Sequence, residues 1–326
     1  MSETTTLRTG EAIRTALAQL MEADERVFLI GEDIGRHGGS FQVTAGLQER
    51  FGAKRVIDAP LSEAGFVGLT VGAAMAGLRP IVDMVYNDFM LLAMDQLVNQ
   101  AAYHHYMSGG QITVPLVVRA SHGAGRGSAA QHSQSLHAWL AHIPGIKVAL
   151  PSSAAEAAGM LLSAVEDPNP VVIYENKALY GVRGEVELPI RPIPLGVAAV
   201  ARPGDDVTVV ATSLMVQEAL AAAEELAHEV SVEVVDLRTL TPLDMGTVLT
   251  SVGRTRRVVI ADEGYRSFGV GAEIAARIAE SGVALHAPIV RLGGFDTPKP
   301  FSPALEKLTI PGRVDIAEGV RRTVDG

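Results

Sequence analysis

The stretch Asp58-Ala59-Pro60-Leu61-Ser62-Glu63 sets an acid at the mouth of a helix. An apolar strand ends at Asp58, the proline forces an extended turn, and Ser62 is placed to cap the helix that opens at Glu63. That helix runs on through Gly65, Gly68 and Gly72, although each interior glycine costs it roughly 1 kcal/mol. Small residues there allow another backbone or a ligand to come close. On the residues alone, Glu63 either aims a carboxyl at a ligand or complements the positive end of its helix.

Two further residues carry possible chemistry. His132 stands in Ala130-Gln131-His132-Ser133-Gln134, just after the glycine-rich Ser121–Ser128, and an imidazole exchanges protons near neutral pH. The glycines follow no dinucleotide-binding pattern with a correctly spaced acid, which argues against a nicotinamide site. The plain alternative is a loop histidine held by Gln131 and Ser133. Phe89, in Tyr86-Asn87-Asp88-Phe89-Met90, is either core or a stacking ring. His104, His105, His122, His137 and His142 read as structural or surface residues.

Composition narrows the field. A net charge of −10 argues against a nucleic-acid groove. The absence of cysteine removes disulfides, iron–sulfur clusters, thiolate zinc sites and cysteine nucleophiles. The longest apolar stretch, Phe66–Leu78, is too short and glycine-rich to span a bilayer, and Met1–Glu11 shows no signal-peptide pattern. A cytoplasmic α/β protein is expected.

The elements that must position these residues alternate. Val27–Gly31, Arg55–Asp58, Pro80–Val85, Pro115–Arg119, Lys147–Leu150 and Val171–Glu175 read as strands, separated by helical patterns over Thr9–Glu22, Glu63–Gly77, Phe89–Tyr106 and Ala154–Val165. A second series has strands at Val207–Ala211, Val232–Leu237, Arg257–Asp262 and Pro288–Arg291, with helices at Met215–His228, Leu243–Val252 and Val270–Ser281. This predicts an α/β fold of two parallel-sheet domains: 1–186, a proline-rich linker over 187–204, and 205–326.

Asp58–Glu63 together with Gly72-Ala73-Ala74-Met75-Ala76-Gly77-Leu78-Arg79-Pro80 resembles the β subunits of thiamine-diphosphate-dependent 2-oxo-acid dehydrogenases, those acting on pyruvate, branched-chain 2-oxo acids or acetoin. The resemblance continues in order through Phe28–Asp33, Tyr106–Gly110, Ala130–Gln134, Leu179–Gly181, Val235–Thr239 and Phe268–Glu273, covering essentially the whole chain. It implies a transketolase-like pyrimidine-binding domain followed by a transketolase C-terminal-like domain.

The resemblance also implies roles. Glu63 would hydrogen-bond the cofactor's aminopyrimidine and favour its imino tautomer, whose exocyclic nitrogen takes the proton of the thiazolium carbon. Phe89 would stack on the pyrimidine, with Tyr86 as a weaker contact and Leu61 giving a backbone contact. His132 would meet substrate, intermediate or the incoming lipoyl group. The carbonyls of Leu116, Ala164, Asp167 and Asn169 would hold a structural potassium ion, the alternative being a turn satisfied by water. Asp296 would meet the lipoyl-bearing acyltransferase core.

Related enzymes hold the diphosphate through magnesium on a Gly-Asp-Gly segment, and this chain has none. Magnesium would therefore sit on an α subunit, in an α₂β₂ heterotetramer. The chain departs from relatives at Ala59, where threonine is frequent, and in ending at Gly326 without an aliphatic residue. Pyruvate is the expected substrate, with acetoin or branched 2-oxo acids as alternatives. A non-catalytic assembly subunit is the reading from another class.

Overall fold

The computed structural model describes residues 3–325. Alternating strands and helices gather into two units. One takes the chain up to His122 and again Trp139–Leu195; the other takes Gly123–Ala138 and the chain from Gly196 onward.

β1 (Glu3–Arg8) leads into α1 (Thr9–Ala23), β2 (Val27–Gly31), α2 (Leu47–Phe51), β3 (Val56–Asp58), α3 (Glu63–Met75) and β4 (Arg79–Tyr86). A 3-10 segment (Asn87–Ala93), a π-helical segment (Gln96–Ala102) and α4 (His104–Met107) precede β5 (Val117–His122). α5 (His137–Ala141), β6 (Lys147–Ala149), α6 (Ala154–Glu166), β7 (Val171–Asn176) and β8 (Arg183–Leu188) follow.

Every residue of β2, β5 and β7 is buried, as befits parallel strands covered on both faces. α1 buries Ala12, Ile13, Ala16, Leu17 and Met21 as one stripe and packs on α6, whose start is capped by Ser153 accepting from the Glu156 amide. The strand order in this unit is β6-β7-β5-β4-β2-β3, all parallel. After β2 the chain places β3 on one side and β4 on the other. That reversal is a topological switch point, where open α/β sheets bind ligands beyond the carboxyl ends of their strands. The approach of β2 to β4 is so close that a Cβ on Gly31 would lie 2.4 Å from the Asp83 carbonyl oxygen.

The second unit comprises β9 (Ala199–Arg202), β10 (Val207–Ala211), α7 (Leu214–Glu225), β11 (Val232–Asp236) and β12 (Thr239–Thr241). It continues with α8 (Met245–Thr255), β13 (Val258–Tyr265), α9 (Val270–Glu280), β14 (Val290–Gly294), α10 (Pro303–Glu306) and α11 (Arg313–Asp325). Its sheet runs β14-β13-β10-β11-β9, parallel except for β9. α7 packs with α11 and α8 with α9, giving the two covering layers.

Three expectations differ from the fold. The helix expected over Phe89–Tyr106 is three segments of different winding, which keep Met90, Ala93, Leu97 and Ala101 on the buried side. Ser62 precedes α3 but its side chain makes no capping hydrogen bond; a Cβ on Gly65 would sit 2.6 Å from that hydroxyl. Within the expected linker 187–204, only residues 189–198 and 203–204 lack strand structure, since Glu187 and Leu188 finish β8 and Ala199–Arg202 form β9 beside β11.

Candidate active site

The switch point brings four predicted residues to one edge of the first unit. Glu63 begins α3, immediately after the β3 turn, and is buried at 8% exposure. Leu61 in that turn is exposed at 83%. Tyr86 ends β4, and its ring meets Phe89 edge-on with centroids 5.9 Å apart. Tyr86 also meets Phe41 at 5.7 Å, and Phe41 lies 4.9 Å from Tyr180. The buried Lys177 ammonium stands 5.4 Å from the Tyr86 ring centroid, a cation–π distance.

Glu32, directly after β2, was given no role by its sequence setting. Burial raises its pKa above the ordinary value, and the neighbouring Glu63 and Asp33 carboxylates push it further. Its Oε1 is buried with no hydrogen-bond partner among the described residues. The signal in the sequence was an acid at the carboxyl end of a central apolar strand, the same logic that singles out Glu63. The loop after β2 is tied down where Gly35 N–H donates to Asp58 Oδ1 at 2.6 Å.

Beneath this edge lies a paired network. Arg119 donates to both Glu175 oxygens at 2.7 Å and to Asp83 Oδ2 at 3.1 Å. Burial alone would lower the Arg119 pKa, but Glu175 and Asp83 outweigh it and raise it. Tyr180 O–H donates to Glu175 Oε2 at 2.7 Å, and burial holds its pKa well above the ordinary phenol value.

His132 lies in the other unit. It is half-buried in the Gly123–Ala138 segment, next to the buried Ser133. The structure thus brings Glu63, Leu61, Tyr86 and Phe89 to one sheet edge and sets His132 in a separately packed loop.

The turn after α6 is well ordered by its own bonds. Asn169 N–H donates to Asp167 Oδ1 at 3.0 Å, Lys147 pairs with the Asp167 carboxylate, and the Leu116 carbonyl accepts from Val171 N–H at 2.9 Å. Ala164 is buried within α6. Asp296 is exposed; its Oδ2 accepts from Ser267 Oγ at 2.6 Å, and it lines a cleft with Arg266, Phe268, Arg291 and Phe295. Among the described residues no three His, Asp or Glu side chains cluster as a metal site.

Residues 5–183 match the transketolase pyrimidine-binding domain and residues 196–316 the transketolase C-terminal domain. The chain belongs to the transketolase family. Its curated relatives include the pyruvate dehydrogenase E1 component subunit beta of Rickettsia felis, 46% identical over 314 residues that make up 96% of each chain. The bovine mitochondrial subunit of the same name is 44% identical, covering 97% of this chain and 90% of that one. In fold, the chain is similar to a split-gene transketolase solved as an inactive β4 tetramer, with TM-score 0.81, 24% identity and 98% of both chains covered.

Membership implies thiamine diphosphate. The residues present fit one end of it: a buried carboxyl at Glu63, an unpartnered buried oxygen on Glu32 and the Tyr86–Phe89 ring pair converge at the switch point. Among the described residues no helix is long and apolar enough to cross a membrane.

Proposed function

We propose that this chain is the cytoplasmic β subunit of a pyruvate dehydrogenase component, contributing the pyrimidine half of a thiamine diphosphate site. The observation that carries this reading is Glu63, buried at the start of α3 near a Glu32 whose pKa burial and the neighbouring carboxylates raise. When bound, the cofactor supplies a carbon nucleophile for decarboxylating a 2-oxo acid. Glu63 holds a proton at the aminopyrimidine ring nitrogen, Phe89 stacks on that ring, and Tyr86 and the Leu61 backbone fix its place. Burial and the Glu63 and Asp33 carboxylates raise the pKa of Glu32, so its proton is lost less readily than that of an ordinary glutamate.

His132 exchanges a proton with substrate or the incoming lipoyl group during acyl transfer. Magnesium is held by an α subunit in an α₂β₂ assembly, potassium by the carbonyls of Leu116, Ala164, Asp167 and Asn169, and Asp296 contacts the acyltransferase core. The test is Glu63→Gln in the enzyme assembled with its α partner. Decarboxylation of pyruvate is expected to fall by roughly 10²- to 10⁴-fold while melting temperature and assembly are retained. Near-normal turnover would sink the assignment. Assays with branched 2-oxo acids and acetoin decide the substrate.

A further inference from the structure

Two buried carboxylates of the second unit have no part in the chemistry above, yet both accept from the backbone of the segment that carries His132. Ala124 N–H donates to Glu263 Oε1 at 2.5 Å, and Gly127 N–H donates to Glu306 Oε2 at 2.8 Å. The far end of the same segment is fixed as well, since His137 Nε2 lies 3.0 Å from Asp262 Oδ2. Asp262 is in turn held by Thr212 Oγ1 at 2.5 Å and Gly264 N–H at 3.0 Å. Glu306, Glu263, Asp262 and His137 are all at most 3% exposed, so solvent does not screen these contacts.

The packing around them admits little else. A Cβ on Gly127, whose φ is +62°, would meet the Phe301 carbonyl oxygen at 3.1 Å. One on Gly264 would lie 2.7 Å from Asp262 Oδ2 and 3.1 Å from His137 Nε2. One on Gly294 would lie 3.0 Å from the buried Lys299 ammonium, whose pKa burial lowers against the pull of Glu263 and Glu306. Glu306 Oε1 is buried with no hydrogen-bond partner among the described residues. A buried carboxylate so incompletely satisfied is poor for stability. Its presence is accounted for by what its other oxygen holds.

We propose that Glu306, supported by Glu263 and Asp262, is a positioning residue that latches the Gly123–Ala138 segment to the C-terminal fold and so fixes His132. The proposal rests on the reading of His132 given above. A segment with glycines at 123, 125 and 127 loses much conformational freedom on ordering, and charge-assisted bonds to its amides oppose that loss. Misplacing a reacting group by about 1 Å costs about a hundredfold in rate, so a latch of this kind acts on turnover rather than on cofactor affinity.

The experiment uses the full chain assembled with its α partner, following hydrogen–deuterium exchange over residues 123–135 alongside steady-state turnover. Glu306→Ala is expected to speed exchange there and to lower kcat roughly ten- to a hundredfold, with thiamine diphosphate affinity unchanged. Glu306→Gln keeps an acceptor oxygen for Gly127 N–H and is expected to restore most of both. Unchanged exchange, a Gln variant as impaired as Ala, or faster exchange with normal turnover each overturns the latch. Gly127→Ala disturbs the same contact from the loop side, and normal behaviour there overturns it too. His132→Ala, run beside them, separates the two readings. If it turns over normally, the role of His132 has failed; if it is inactive while Glu306→Ala is normal, the latch has failed.

Discussion

Two groups of carboxylates stand near the carboxyl edge of the same parallel sheet and are treated in opposite ways. Glu175 and Asp83 surround Arg119, with three hydrogen bonds between 2.7 and 3.1 Å. Glu32 lies within electrostatic reach of Glu63, and the charges that shift Glu32 are both acids. Buried charge without an opposite partner is costly, and the first group avoids that cost by pairing. In the second, burial and the neighbouring acids raise the pKa of Glu32 instead. Pairing marks charges that build the sheet; like-charge proximity marks the edge where protons are handled.

Breaking the paired group tests the first half of that contrast. Glu175→Ala leaves Arg119 buried with only Asp83 as a carboxylate partner and removes the acceptor for Tyr180 O–H. Urea unfolding is expected to register a loss of about 3–5 kcal/mol, because one partner of a buried pair has been removed. A loss no larger than that of an exposed pair such as Arg321–Glu229 would show that the network does not hold the sheet.

A smaller effect concerns the unpaired edge. Phe89→Ala removes the ring that meets Tyr86 and is expected to weaken thiamine diphosphate binding roughly two- to twelvefold beyond the area lost. Calorimetric titration of the assembled enzyme measures this directly. An unchanged Kd would return Phe89 to simple packing.

Much of this was legible in the sequence for a specific reason. A fully buried parallel strand such as Val27–Gly31 is a continuous apolar run, and Glu63 stands out as the acid that opens the helix after the Asp58 turn. β1 was not legible, because Thr4, Thr5 and Thr6 alternate in exposure on a strand that pairs, among the described residues, with β8, distant in sequence. The mixed winding after Tyr86 was hidden for another reason: its apolar spacing of three and four residues suits an unbroken helix equally well. Glu32 escaped because its significance is a distance to Glu63, set by strand order rather than by spacing. The amides that bind Glu263 and Glu306 escaped likewise, since a glycine-rich loop announces mobility but not its anchors.

The smallest expected effect probes Glu32 itself, through the pH dependence of stability. Its folded pKa lies above the unfolded one, so in the window between them the folded state binds more protons. Stability therefore falls as pH rises from the ordinary carboxylate range, near about pH 4.3, through the raised folded value. Glu32→Gln stands in for the protonated form at every pH and removes that fall. Melting temperatures of wild type and variant are expected to agree at the acid end and to diverge in favour of the variant towards neutrality. The divergence is modest because the residue is only half-buried and solvent screens the like-charge contact. Parallel curves would mean that Glu32 ionises as an ordinary surface carboxylate, and the contrast between a paired and a proton-holding edge would not stand. If the curves diverge in wild type but coincide once Glu63→Gln is added to both, the neighbouring acid is the cause; divergence that persists assigns it to burial.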